Sequence, residues 1–153
     1  MTLARGMVTT LSIAVLVVAA CSKSAPRSTS SPSPSPGENV AVSLQQWSIS
    51  TAATTVAAGR TTFVVTNKGT IPHEFVVLST DTPAADFPIA SFEGEPDRFN
   101  EDTAGTNVGE TGDMNAGASK AITITLAPGH YALVCNLPGH YGLGMHIDLT
   151  VSS

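Results

Sequence analysis

Alternation of apolar and polar positions gives the first picture of this chain. In residues 121–126, Ile122, Ile124 and Leu126 alternate with Thr123 and Thr125, and residues 147–151 repeat the pattern. Period two over such short runs predicts half-buried strands. Residues 40–49, 61–66, 74–78 and 130–135 predict further strands, with turn chemistry at Asn67-Lys68-Gly69 and Pro128-Gly129. No segment between 38 and 153 carries a helical period. The pattern gives six or seven short strands and predicts an all-β fold, a sandwich or barrel. Residues 79–118 break it. They are too many for one structureless loop, so a short helix or extra strand is expected there, with Phe87, Phe92 and Phe99 folding the excursion back onto the sandwich.

The apolar run at the N-terminus is of another kind. Arg5 precedes residues 7–20 (MVTTLSIAVLVVAA), and small residues lead directly into Cys21. At about 14 residues the run is short for a membrane span, which needs about 20. The VAAC stretch, Val18 to Cys21, resembles a bacterial lipoprotein signal. That resemblance implies removal of residues 1–20 and a diacylglycerol on the Cys21 thiol. Residues 22–37 contain seven Ser and four Pro and read as a disordered tether, able to reach roughly 50 Å at about 3.1 Å per residue. The expected organisation is therefore a signal at 1–20, a lipidated cysteine and tether at 21–37, and one domain at 38–153. It places the domain outside the cytoplasm, anchored to a bacterial membrane through Cys21, on the periplasmic side or the cell surface.

Composition narrows the function. Charged residues are 12% of the chain, against about 25% on average, and past the N-terminus no apolar run is long enough to span, which excludes a polytopic membrane protein. Arg5, Lys23 and Arg27 precede the domain, so residues 38–153 carry four basic residues against twelve acidic. An acidic domain without a basic patch excludes nucleic acid as the expected partner. Two cysteines, Cys21 and Cys135, cannot build a framework of several disulfides.

Chemistry concentrates near the C-terminus. The run CNLPGHYGLGMH places Cys135, His140 and Met145 at C-x4-H-x4-M on a turn rich in Gly and Pro. Thiolate, imidazole and thioether form a soft ligand set that selects copper over calcium, magnesium or manganese. A second imidazole is expected from His73, 62 residues upstream in NKGTIPHEF at the start of an apolar strand. His130 lies five residues before Cys135 in a predicted strand, roughly 16 Å away at 3.3 Å per residue, too far for a shared metal. His146 adjoins Met145, and strand neighbours face opposite sides. Both are expected at the surface, with Tyr131 and Leu133 under Cys135 and Asn136 fixing the loop by hydrogen bonds. The cluster Glu93, Glu95, Asp97, Glu101 and Asp102 reads as a solvated loop.

At these residues the domain resembles a cupredoxin, the small blue-copper family that includes plastocyanin, azurin and rusticyanin, and the resemblance implies an all-β Greek-key sandwich or barrel of about seven or eight strands. The C-x4-H-x4-M spacing is most similar to the rusticyanin type. The resemblance implies one copper held by His73, Cys135, His140 and a weak axial Met145, one-electron transfer as the function, and docking of redox proteins of the cell envelope near His140. Leu137, Pro138, Tyr141 and Leu143 are the expected apolar docking patch, and a monomer is expected. Copper enzymes of related architecture carry a histidine next to the cysteine or a second cysteine in the loop. Cys135 instead stands between Val134 and Asn136, which implies a carrier without a catalytic copper. The alternative is a copper-binding module for storage, delivery or resistance, built from the same ligands.

Overall fold

The structure is a computed structural model that describes residues 37–153. The expected signal peptide, the lipidated Cys21 and the tether up to residue 36 lie outside the described residues. Eleven strands and one short helix follow: β1 (Glu38–Gln45), β2 (Ser48–Thr51), β3 (Thr55–Ala57), β4 (Gly59–Asn67), β5 (Val76–Ser79), β6 (Ile89–Phe92), β7 (Glu95–Phe99), α1 (Glu101–Ala104), β8 (Thr106–Glu110), β9 (Ser119–Leu126), β10 (Gly129–Val134) and β11 (His146–Ser152). A four-stranded sheet, β2-β1-β4-β9, faces a five-stranded sheet, β3-β11-β10-β5-β8, and β6 pairs with β7 apart from both.

The count corrects the expectation of seven or eight strands. Residues 40–49 do not run as one strand; a turn at Gln46–Trp47 folds β2 back antiparallel on β1. The expected extra elements in 79–118 are β6, β7, α1 and β8. In β6 and β7 most residues are exposed, so no alternation marks them.

Period two builds the core where it is present. Val40, Val42 and Leu44 of β1, Phe63 and Val65 of β4, and Ile124 and Leu126 of β9 turn inward onto Tyr131, Leu133, Leu149 and Val151 of the other sheet. β10 is central in its sheet and buried on both faces. Tyr131, Leu133 and Cys135 join the core between the sheets, whereas Ala132 and Val134 join a second cluster with Val76, Leu78, Ala84, Phe87, Phe99 and Tyr141. A strand covered on both sides reads as a continuous apolar run, as ALV does here. Phe87 and Phe99 thus fold the excursion onto the outer face, as expected. Phe92 lies instead under the Arg98 guanidinium, 5.2 Å from its carbon to the ring centroid.

Candidate metal centre

The four sequence-predicted ligands come from two loops at one end of the sandwich. His73 lies between β4 and β5, and Asn67 explains its N-x-G-x3-H setting. The buried Asn67 amide donates to the carbonyls of Ile71 and Met114, both at 2.8 Å, and its Oδ1 accepts from Gly69 N–H at 2.9 Å. His73 and Met114 then exchange two backbone hydrogen bonds, at 3.2 and 2.8 Å. A Cβ at position 69 would lie 2.5 Å from Gln46 Oε1 and 2.8 Å from His73 Nε2, so any larger residue there displaces the His73 ring.

Cys135 directly follows β10, and the 136–144 loop leads back to β11. Cys135 N–H donates to the Met145 carbonyl at 3.0 Å, and Met145 N–H to the His140 carbonyl at 3.2 Å, so the loop closes at its base. Gly139 turns the chain with φ +79°, a left-handed conformation that favours glycine.

Inside this frame His73 Nδ1 lies 3.1 Å from His140 Nδ1, and Cys135 Sγ lies 3.4 Å from the same nitrogen. The three donor atoms fall within 4.8 Å of one another, all on buried residues. Two imidazole nitrogens and a sulfur turned toward one point form a donor set, since each neutral imidazole offers one ring lone pair. The set fits a soft metal ion. Burial holds both imidazoles below their ordinary pKa, with the neighbouring His140 adding to the effect on His73, so their lone pairs are free near neutral pH. Burial pushes the Cys135 thiol up to about 12, against the pull of the Glu74 and Leu137 backbone N–H groups. His73 Nε2 is buried without a hydrogen-bond partner, so its tautomer is left to whatever occupies Nδ1. Met145 is fully buried in the same core cluster as Cys135.

Support around the cysteine comes largely from the excursion. Glu74 N–H points to Cys135 Sγ at 3.4 Å, and Glu74 Oε1 accepts from Asn136 N–H at 2.9 Å. Burial raises the Glu74 carboxyl to about 7, opposed by that hydrogen bond. Arg98 Nε donates to the Asn136 carbonyl at 2.7 Å, and the guanidinium also meets Glu93, Glu95 and Glu101. The acidic cluster is therefore more than a solvated loop: three of its carboxylates surround a buried arginine. Asn136 fixes the loop as expected.

The other histidines stand apart. His130 bonds the Thr80 carbonyl and Asp148, and His146 is half-buried with its ring 5.1 Å from that of Tyr141. Tyr141 is 2% exposed, which removes it from the expected surface patch; its hydroxyl donates to the Ala84 carbonyl and accepts from Phe87 N–H.

Comparisons with known proteins agree with this geometry. A family model described as the sulfocyanin (SoxE) domain matches residues 41–153. Auracyanin-B of Chloroflexus aurantiacus is 34% identical over 121 residues, covering 73% of this chain and 48% of that protein. The chain thus spans about half the length of this curated relative. Among solved structures, reduced auracyanin from Roseiflexus castenholzii aligns with a TM-score of 0.53 at 23% identity, over 79% of this chain and 100% of that one. Auracyanin A, a "blue" copper protein from Chloroflexus aurantiacus, aligns at 0.54 and 17% identity, over 76% and 100%. These likenesses show the fold, a cupredoxin β-sandwich.

Proposed function

The chain belongs to the sulfocyanin (SoxE) domain family, and from that premise we propose that it carries single electrons on one copper ion held by His73, Cys135, His140 and Met145. The convergence of three buried donors within 4.8 Å carries this reading. Bound copper supplies the Cu(II)/Cu(I) couple. The chain's own part is to keep two neutral imidazoles and one sulfur in place for both states, so that little rearranges when charge changes. Hydrogen bonds from Asn67, Glu74 and Asn136 fix both ligand loops independently of the metal. Amides directed at Cys135 Sγ stabilise negative charge on sulfur and tune the potential.

Oxidised copper-loaded protein is expected to be strongly coloured by thiolate-to-copper charge transfer, and Cys135→Ser colourless. Colour that survives the substitution overturns the ligand assignment. Val134 and Asn136 beside the cysteine support a carrier without a catalytic copper. The apolar run ending in the VAAC stretch supports a place outside the cytoplasm and a lipid anchor on Cys21 in a bacterial membrane. Cys21→Ser should then leave the membrane fraction; retention there refutes the anchor. A redox protein of the cell envelope is the partner, meeting a monomer at the exposed apolar surface beside His140.

A further inference from the structure

Trp47 is the single tryptophan of the chain, and nothing in the hydrophobic pattern assigns it a role. It sits on the turn between β1 and β2. Its indole stands edge-on to both imidazoles, with ring centroids 5.0 Å from His140 and 6.4 Å from His73, within the range of aromatic contact. His73 is wholly buried and His140 is 9% exposed, whereas Trp47 keeps 39% of its surface in water. Of the aromatic rings that meet the two imidazoles, the indole is therefore the one that opens to solvent.

Its surroundings make this opening a contact surface. Among the described residues four large hydrophobic side chains are exposed, and three of them, Trp47, Ile89 and Leu143, border the 139–144 loop. A Cβ on Gly142 would lie 3.0 Å from Ile89 Cδ1, and one on Gly144 would lie 3.2 Å from the Trp47 carbonyl, so the two glycines let both neighbours close on the loop. Exposed apolar groups gathered from three separate segments mark an interaction site, and tryptophan is enriched among residues that dominate such contacts.

Resting on the copper reading above, we propose that Trp47 is the electron port of this protein. One electron passes from a reduced redox protein seated on the indole, through its contact with His140, and reduces Cu(II) to Cu(I). The partner is oxidised by one electron, no bond forms or breaks, and the indole stays uncharged. Tunnelling decays exponentially with the gap, so an indole touching both partner and His140 replaces a layer of water with two van der Waals contacts.

Two measurements test this without the physiological partner. In the metal-free full chain, Trp47 emission should be quenched efficiently by acrylamide; a shielded indole overturns the proposal before copper enters. In the copper-loaded full chain, electron self-exchange between oxidised and reduced copies is read from NMR line broadening, at high salt to screen repulsion between acidic domains. Trp47→Leu should exchange at least several-fold more slowly with an unchanged visible spectrum, exchange between identical copies being independent of the potential, and Trp47→Phe, which keeps a ring beside His140, should stay near the parent rate. Trp47→Met serves the same comparison where the leucine variant does not fold. Equal rates in all variants overturn the port and leave the electron to the His140 edge. A parent protein that binds no coloured copper overturns the underlying reading instead.

Discussion

Asn136 and Phe99 are joined by a reciprocal pair of hydrogen bonds. Phe99 N–H donates to Asn136 Oδ1 at 3.0 Å, and Asn136 Nδ2 donates to the Phe99 carbonyl at 3.0 Å. Asn136 thus closes the end of β7 as another strand would, from a position one residue beyond the metal-facing Cys135. The same amide reaches Glu101 Oε1 at 2.9 Å. The cysteine loop therefore takes its shape from the excursion as well as from β10.

Asn136→Ala removes these bonds and leaves two backbone groups of the buried Phe99 without partners. The metal-free protein should lose about 2–6 kcal/mol, at roughly 1–3 kcal/mol for each of the two buried groups left unsatisfied. Urea unfolding gives the number, and a loss within error of zero refutes the structural role.

Copper loading should release a proton. Because Cys135 titrates near about 12 in the metal-free protein, it is a thiol at neutral pH, and a bound metal requires the thiolate. His73 and His140 are already neutral there, since burial lowers both, and they contribute none. Apparent copper affinity should rise about tenfold per pH unit through the neutral range. Calorimetry in buffers of different ionisation enthalpy counts the protons; a count near zero or two contradicts the assignment.

Met145→Leu keeps volume and apolarity, so the fold should lose less than about 1.5 kcal/mol. With Met145 as a weak axial ligand, the colour should persist and the reduction potential shift. An unchanged potential would place the thioether outside the coordination sphere.

Docking should separate into apolar and charged parts. Leu143, 55% exposed, lies on the apolar surface, so Leu143→Lys should slow exchange with the physiological partner at every salt concentration and leave the spectrum alone. With a basic partner, Glu93→Gln combined with Asp97→Asn should slow only the low-salt reaction, because steering is screened over about 8 Å at physiological ionic strength. Parent-like kinetics of Leu143→Lys move the docking site elsewhere.

Much of this was legible in the chain, for physical reasons. β4, β9 and β11 are half-buried, and half-burial imprints period two. Three of the four proposed ligands bunch on one loop because a turn is needed to bring side chains back from the end of a strand, and the spacing survives in sequence. Asn67 and Gly69 gave His73 a local setting because they shape its loop directly. The rest depends on side chains meeting across the fold. The two-sided burial of β10 hid Tyr141, which sequence proximity to His140 assigned to the surface. Arg98 gathers Glu93, Glu95 and Glu101 only once β6 and β7 pair. Trp47 reaches His140 from 93 residues away, and a contact of that kind leaves no periodic trace.

The grip of the excursion on the ligand loop bears on protein engineering. Asn136 is held by Phe99 and Glu101, and Tyr141 by Ala84 and Phe87. A chimaera that received residues 135–145 alone would import two buried polar side chains whose partners stayed behind. The loop is not a portable cassette. The unit of exchange is discontinuous, and the segment from Ala84 to Glu101 has to travel with it.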